Sequence, residues 1–296
     1  MEGVGILTIL GIVVTASIRS ATPLIFAALG GNFSERSGVF NIGLEGIMTV
    51  GAFSAVFFSY KTDSPWAGLL GAMVVGGLFG LLLAFMSIYF KANQVIVGTA
   101  INILAASLTT FLLVEIWGRP GQTDNVEYFK AVGPFNLFTY LAFAMVIVSY
   151  YVMYKTPFGL RVRAVGEHPR AADTLGVNVY VIRYICVMIS GVLAGIGGAS
   201  LSIGSMSLFK EGMIAGKGFI ALAALIFGKW NPIGAALACL FFGFAVALET
   251  VATNLPVPRE FLYALPYIMT MFAVSGFVGR AVGPAAGGIP YEKGEK

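Results

Sequence analysis

The sequence predicts an all-α, polytopic transmembrane helical bundle of about ten spans, with eight to ten as the range. Of its 296 residues, 58% are hydrophobic and only 11% are charged, whereas soluble domains are about a quarter charged. The apolar residues form continuous runs close to the roughly 20 residues that a helix needs to cross a bilayer. Strands of a membrane β-barrel would instead alternate over segments of about ten residues, so the continuous runs favour helices.

The candidate spans fall into a clear group and a weaker group. Six long apolar runs cover residues 67–90, 95–114, 135–154, 184–206, 233–251 and 262–279. Four runs are short or interrupted by glycine, and they cover residues 3–18, 21–33, 44–60 and 212–227. No basic residues precede the first run and no small-residue cleavage site follows it, so we expect it to remain in the mature chain. The whole chain, 1–296, is interpreted as a single transmembrane domain.

Glycine pairs four residues apart indicate how the spans pack. Such pairs put small residues on one helix face and let two backbones approach closely in lipid. They occur at Gly76 and Gly80, Gly191 and Gly195, and Gly212 and Gly216. They predict a tight bundle and carry no information about a substrate.

Charged residues outside the spans predict the orientation. Segment 155–183 carries five Lys or Arg residues against two acidic residues, a net charge of +3. Segment 115–134 carries two basic and three acidic residues, a net charge of −1. Because cytoplasmic loops are enriched in Lys and Arg, we expect segment 155–183 to be cytoplasmic and segment 115–134 external. Ten spans counted outward from these loops would place both termini in the cytoplasm.

The polar, glycine-rich segment 30–46 lies between two apolar runs and has two interpretations. It is either a cytoplasmic turn with a local ion pair from Arg36 to Glu35 or Glu45, or a broken helix. Irregular backbone at membrane depth requires cover by protein or a water-filled cavity, and buried charges there are costly. In the second interpretation, Asn41 and Glu45 face a transport pathway.

Two further polar residues, Asn102 and Glu249, are isolated inside apolar runs. Asn102 either bonds a neighbouring helix or lines a pathway, and Glu249 either reaches the external interface or has a function inside the membrane. Segment 216–234 predicts a short apolar helix that ends at Gly228, followed by a turn at Asn231 and Pro232.

A short cytoplasmic helix is predicted over residues 169–175, inside the basic segment. Pro169 suits the first turn of a helix and Gly176 suits its end. Ala171, Ala172 and Leu175 would form an apolar face on the solvent side, and such a face predicts a protein partner. The alternative is a plain basic loop that only sets the topology.

Several motifs are missing from the sequence. No Gly-x-x-x-x-Gly-Lys-Ser/Thr phosphate loop occurs, so binding of ATP by that route is excluded. His168 is the sole histidine, which excludes a metal site of several histidines, and Cys186 and Cys239 are interpreted as small buried hydrophobes. No catalytic constellation is present, so we do not expect an enzyme. An ion-coupled transporter would show intramembrane carboxylates and an internal repeat, but only Glu45 and Glu249 are candidates and no repeat is evident.

Segments 33–46, 166–176 and 216–234, in this order, resemble the permease subunits of ABC importers for simple sugars and nucleosides. These are relatives of the ribose and branched-chain amino-acid permeases. The string Asn-Ile-Gly-Leu-Glu-Gly at positions 41–46 is most similar to the nucleoside branch. The resemblance implies a ribose-permease-like bundle in the bacterial cytoplasmic membrane that imports nucleosides, above all purine nucleosides, by alternating access. A permease for ribose or for branched-chain amino acids is the alternative.

The resemblance also implies partners and residue roles. The partners are a second, related permease chain, a cytoplasmic ATPase that uses ATP and Mg²⁺, and an external substrate-binding lipoprotein or binding protein. This chain itself would bind no cofactor, metal or nucleic acid. An uncharged nucleoside needs amide partners and an aromatic wall. The expected pathway residues are Phe40, Asn41, Glu45, Phe53 and Asn102. The expected ATPase-coupling residues are Gly166, Glu167, His168, Pro169, Arg170, Ala171, Ala172, Leu175 and Gly176, within the coupling segment 155–183.

Overall fold

A computed structural model describes residues 6–131, 133–252, 268, 271 and 282–293. Its longer helices are α1 (Ile6–Arg36), α2 (Leu44–Thr62), α3 (Pro65–Ala84), α4 (Gln94–Trp117), α5 (Leu137–Lys155), α8 (Val179–Leu201) and α10 (Pro232–Ala252). The shorter ones are α6 (Pro157–Glu167), α7 (Pro169–Thr174) and α9 (Lys217–Phe227). Helices α3 and α8 each continue into a π-helical turn, Phe85–Tyr89 and Ser202–Met206. The predicted all-α membrane bundle is confirmed.

Five described helical segments are long and apolar enough to cross a membrane. They are Gly11–Arg36, Pro65–Tyr89, Gln94–Trp117, Leu137–Lys155 and Val179–Met206. Helix α2 lies in the middle of the bundle against α3, α8 and α4, and most of its side chains are buried. Nearly all of the predicted span 262–279, and the side chain of Glu249, lie outside the described residues.

The interpretation of residues 3–18 and 21–33 as two spans is wrong, because the described part of both runs forms the single helix α1. The Arg19 guanidinium donates to the Pro134 carbonyl oxygen at 2.6 Å, in the predicted external segment. Arg36, 17 residues or about 26 Å further along, meets Glu167 of the predicted cytoplasmic segment. On the predicted orientation of these two segments, residue 6 lies on the external side, opposite to the side that a count of ten spans predicts.

Helices α3 and α8 pack through two of the predicted glycine pairs. A Cβ atom on Gly76 would lie 2.5 Å from the Gly191 carbonyl oxygen, and one on Gly191 would lie 2.3 Å from the Gly76 oxygen. Only glycine permits backbone contact this close. The third pair is not helical, since Gly212 and Gly216 both have positive φ, +70° and +82°, in the loop before α9.

Helix α9 crosses only part of the bundle. Its 11 residues span about 16 Å, roughly half of the hydrocarbon core. The loop before it starts at the external end, where Phe209 exchanges backbone and side-chain hydrogen bonds with Thr123. The helix ends near the cytoplasmic end of α1, where Arg36 donates to the Trp230 carbonyl oxygen at 2.9 Å. The short helix predicted in segment 216–234 and its end at Gly228 are confirmed.

Candidate functional site

A polar junction lies inside the bundle where α2 and α9 begin and α4 passes. Glu45, in the first turn of α2, accepts hydrogen bonds from the backbone N–H groups of Gly216 (2.8 Å) and Gly218 (2.7 Å). These N–H groups belong to the first turn of α9 and have no partner within that helix. A carboxylate at a helix N-terminus satisfies them and is stabilised by the helix dipole. Glu45 thus fills the N-terminal end of α9 while it sits in the first turn of α2.

The depth of this junction follows from α4. The Gly46 N–H donates to the Asn102 side-chain oxygen at 2.7 Å. Asn102 is eight residues beyond Gln94, the first residue of α4, which corresponds to about 12 Å along the helix axis. Helix α4 is long and apolar enough to cross a membrane. The start of α2 and the N-terminal end of α9 bonded to it therefore lie about 12 Å from the first residue of α4, and the partly exposed Glu45 lies at that depth. Transporters use such interrupted helices to bind polar substrates near the bilayer midplane.

Glycines bring the three backbones of the junction into contact. A Cβ on Gly218 would lie 2.5 Å from the Glu45 backbone nitrogen, and one on Gly46 would lie 2.8 Å from the Asn102 Cα. A Cβ on Gly98 of α4 would lie 2.9 Å from the backbone nitrogen of Gly43. Such distances do not occur for real Cβ atoms, so a side chain at any of these positions would force the helices apart.

Asn102 holds the start of α2 from both sides. Its Nδ2 donates to the Ile42 carbonyl oxygen at 3.0 Å, and its Oδ1 accepts from Gly46. The prediction that Asn102 bonds a neighbouring element is confirmed, while its contact with a substrate stays a prediction. Asn41 is fully buried and donates from Nδ2 to the Ser190 hydroxyl at 2.8 Å. Its Oδ1 has no hydrogen-bond partner among the described residues.

The two predicted aromatic residues lie away from the junction, on opposite sides of it. The Phe40 ring lies against Gly287 and Gly288 at the cytoplasmic end. Phe53 is two turns further toward the external end of α2, with its ring edge-on to Phe209 (centroids 5.4 Å apart) and Trp117 (6.0 Å). The structure therefore brings Glu45 and Asn102 together at the start of α2, directs the Asn41 side chain to Ser190 of α8, and separates both phenylalanines from the junction.

The local ion pairs considered for segment 30–46 are wrong. The Glu35 carboxylate accepts from the Trp230 indole nitrogen at 2.6 Å, and Glu45 bonds α9. The closest described carboxylate to Arg36 is that of Glu167, at 4.0 Å. The chain leaves α1 after Arg36 and re-enters the bundle through residues 37–43, here called the pathway loop, before α2 begins. The backbone between α1 and α2 is irregular, as both interpretations expect, and the prediction that Asn41 and Glu45 face a pathway stays a prediction.

The cytoplasmic end carries the coupling helices, the name used here for α6 and α7. Helix α7 begins at Pro169 and ends before Gly176, whose φ of +82° suits glycine, as predicted. His168 links the two helices, since it follows α6 and precedes α7. Gly166 lies directly on α1, because a Cβ there would be 2.1 Å from the Arg36 carbonyl oxygen.

The predicted apolar face of α7 is only partly exposed. Leu175 is 84% exposed and Ala171 is also exposed, but Ala172 is only 3% exposed and belongs to the core of this chain. The expectation that Ala172 stands free for a partner is wrong. Ala172 lies about 100° around the helix from Ala171 and packs inward, whereas Ala171 and Leu175, four residues apart, both lie on the solvent side. Two apolar side chains remain on the solvent side.

A cleft of about 430 Å³ separates the coupling helices from the C-terminal segment 282–293. One wall is formed by five of the predicted coupling residues, Glu167, His168, Pro169, Arg170 and Ala171. The opposite wall is formed by Ala285, Ala286, Ile289, Pro290, Tyr291 and Glu292. Burial raises the pKa of the Tyr291 phenol above its ordinary value, and the neighbouring Asp173 raises it further. Within the described residues, no group of three His, Cys, Asp or Glu side chains could hold a metal ion.

Sequence reasoning missed several residues of this site. It did not connect Glu45 with Gly216 and Gly218, because the two segments are about 170 residues apart in the chain. It treated Arg183 only as a topology signal, although its guanidinium is 2% exposed and donates to the carbonyl oxygens of Ser37 and Ile289. An arginine inside an otherwise apolar run was the available signal.

A multi-pass helical bundle with an interrupted-helix polar junction at membrane depth defines a membrane transport subunit. The chain belongs to the family described as the branched-chain amino acid transport system permease component, which matches residues 13–274. It is 46% identical to the guanosine ABC transporter permease protein NupQ of Bacillus subtilis, over 98% of this chain and 99% of that protein. It is 42% identical to the nucleoside ABC transporter permease protein NupC of Lactococcus lactis, over 96% and 98%.

A more distant relative is a second permease protein from one of the same organisms. The guanosine ABC transporter permease protein NupP of Bacillus subtilis is 27% identical over 90% of this chain and 82% of that protein. The predicted resemblance to ABC permeases and the predicted role as a transport subunit are confirmed by these relatives. The relatives show two permease proteins for guanosine in one organism.

Proposed function

We propose that this chain forms the translocation pathway of an ATP-driven importer for uncharged nucleosides, above all purine nucleosides such as guanosine. One observation in the structure carries the charge preference. The N-terminal end of α9, a position suited to the anionic group of a substrate, is already filled by the Glu45 carboxylate. The names of the relatives supply the nucleoside class.

Glu45 opposes the alternative of a branched-chain amino acid. Such a substrate carries a carboxylate, and transporters bind substrate carboxylates at half-helix N-termini. Here a second carboxylate 4 Å from Glu45 would be repelled by about 4 kcal/mol at an effective dielectric constant of about 20. A nucleoside brings hydroxyl and amide groups without charge. The unpartnered Oδ1 of Asn41 can accept a hydrogen bond from such groups if the pathway loop moves.

The remaining components are proposed from the coupling helices and the relatives. A second, related permease chain covers the side of the junction flanked by the exposed side chains of Ile103 on α4 and Phe219 on α9. A cytoplasmic ATPase binds α7 through Ala171 and Leu175 and uses ATP with Mg²⁺, and this chain binds no cofactor itself. An external substrate-binding lipoprotein or binding protein delivers the nucleoside to the complex in the bacterial cytoplasmic membrane.

Alternating access then follows from the construction of the junction. ATP binding stabilises one arrangement of the ATPase pair, and the coupling helices move with it. The pathway loop and the start of α9 are short segments between rigid helices, and such segments absorb backbone changes. In this proposal, the hydrogen bonds that Gly216 and Gly218 donate to Glu45 keep the pathway closed. Their exchange for other partners would open the path on one side at a time.

Uptake competition tests the substrate proposal. The complex is reconstituted in vesicles, and uptake of radiolabelled guanosine is measured. Adenosine, cytidine, ribose or leucine is added in excess as a competitor. We expect purine nucleosides to compete best, cytidine and ribose less well, and leucine not at all. Inhibition by leucine in preference to nucleosides would overturn the proposal, and inhibition by ribose alone would assign the chain to a sugar importer.

A further inference from the structure

The C-terminal segment 282–293, here called the strap, is bonded to both coupling helices. The Ala286 N–H donates to the Gly166 carbonyl oxygen at 2.9 Å, at the end of α6. The Ala285 N–H donates to a Glu167 carboxylate oxygen at 3.3 Å. Lys293 lies 3.8 Å from the Asp173 carboxylate of α7. A displacement of the coupling helices would therefore have to move the strap or break these bonds.

The strap is also bonded to the pathway loop. The Gly288 N–H donates to the Gly38 carbonyl oxygen at 3.2 Å. The Phe40 ring covers Gly287 and Gly288 so closely that Cβ atoms there would lie 3.0 and 2.8 Å from it. The pathway loop leads from these contacts into α2, where Glu45 lies five residues after Phe40. The strap thus touches the coupling helices on one side and the entry to the polar junction on the other.

Arg183, near the start of α8, forms hydrogen bonds with both the strap and the pathway loop. Its Nε donates to the Ser37 carbonyl oxygen at 3.2 Å and its Nη1 to the Ile289 oxygen at 3.1 Å. Because a buried N–H donor without a partner is costly, these two bonds favour one register of the three segments. At the far end of the strap, Glu292 pairs with Lys91 at 2.7 Å, before α4.

We propose that the strap is the mechanical link that carries a displacement of the coupling helices to the pathway loop, with Arg183 as its positioning residue. The inference rests on the proposed function, in which a cytoplasmic ATPase moves α6 and α7. Coupling between distant sites is carried by bonded, rigid elements that have more than one arrangement. The strap supplies a bonded connection from Gly166 to Gly38 without passing through α1.

The substitution Gly288→Ala tests the link at its contact with the pathway loop. Gly288 has a φ of +76°, and its new Cβ would press on the Phe40 ring at 2.8 Å, so the strap must move away from the loop. The matched control is Gly118→Ala at the external end of α4, where φ is also positive (+68°) but nothing lies within 4 Å. Both variants introduce the same backbone strain, and only one disturbs the link.

Purified complexes containing the ATPase are compared for guanosine uptake per ATP hydrolysed. We expect Gly288→Ala to retain the ATPase and its basal ATP hydrolysis but to lower uptake per ATP about fivefold to tenfold, in the range of ordinary coupling effects. Gly118→Ala should couple normally. Wild-type uptake per ATP in Gly288→Ala would overturn the link.

A truncation keeps the test decisive if Gly288→Ala assembles poorly. A chain ending at Gly287 lacks the bonds to Gly38 and Arg183 but keeps those from Ala285 and Ala286, and a chain ending at Lys293 is its control. Uncoupled ATP hydrolysis in the shorter chain alone supports the link, and equal coupling in both overturns it. Leu175→Glu on α7 tests the underlying proposal separately, since loss of ATPase binding there supports α7 docking even when the strap variants behave normally.

Discussion

Replacement of the junction carboxylate is the most informative perturbation. Glu45→Gln keeps the size of the side chain, but it removes the charge and leaves one oxygen to accept from two N–H groups, those of Gly216 and Gly218. Hydrogen bonds to charged groups contribute about 1.5–3 kcal/mol and neutral ones about 0.5–1.5 kcal/mol. With the loss of the helix-dipole interaction, about 0.3–1 kcal/mol, the total cost is about 2–4 kcal/mol.

The assay combines stability with selectivity. In detergent, Glu45→Gln should unfold at a lower temperature than wild type, and in vesicles it should transport guanosine more slowly and lose part of its discrimination against leucine. Glu115→Gln is the matched control, since this carboxylate is exposed near the external end of α4. If Glu45→Gln matched Glu115→Gln in unfolding temperature, uptake and leucine rejection, the reasoning about the junction would be refuted.

Three further predictions concern packing, the α2 clamp and topology. Ala172→Trp should lower the stability of this chain, since overpacking a core costs about 1–3 kcal/mol. Ala171→Trp should fold normally, but less ATPase should be recovered with it in a pull-down. Equal stability of the two variants would contradict the burial of Ala172. Asn102→Leu leaves the Gly46 N–H unpaired at about 1–3 kcal/mol, so thermal stability and uptake should both fall, and wild-type values for both would remove its role as a clamp. In a cysteine-free background, an impermeant thiol reagent should label Lys130→Cys on intact cells and Ala171→Cys only after permeabilisation, and the reverse pattern would invert the topology.

The sequence alone determined the membrane class and most helix positions. Apolar runs near the length of a span reflect the cost of unsatisfied backbone in lipid, which leaves helices as the solution for continuous runs. Local signals also placed α7, since Pro169 and Gly176 act through their own backbone geometry and need no distant partner. The polar segment 30–46 was recognisable as irregular for the same local reason, because charges and glycines interrupt the apolar pattern.

Only the tertiary structure decided which residues meet. The described parts of runs 3–18 and 21–33 form the single helix α1, and the polar break between them, with Arg19, is accommodated by a bond to Pro134 from a distant segment. Glu45 finds its partners at Gly216 and Gly218, and Arg183 joins the pathway loop to the strap. Ala172 turns inward while Leu175 stays exposed, although both are small or apolar residues of one short segment. Hydrophobicity is a property of each residue and can be read from the chain, but hydrogen-bond partners and buried faces depend on how helices far apart in sequence pack together.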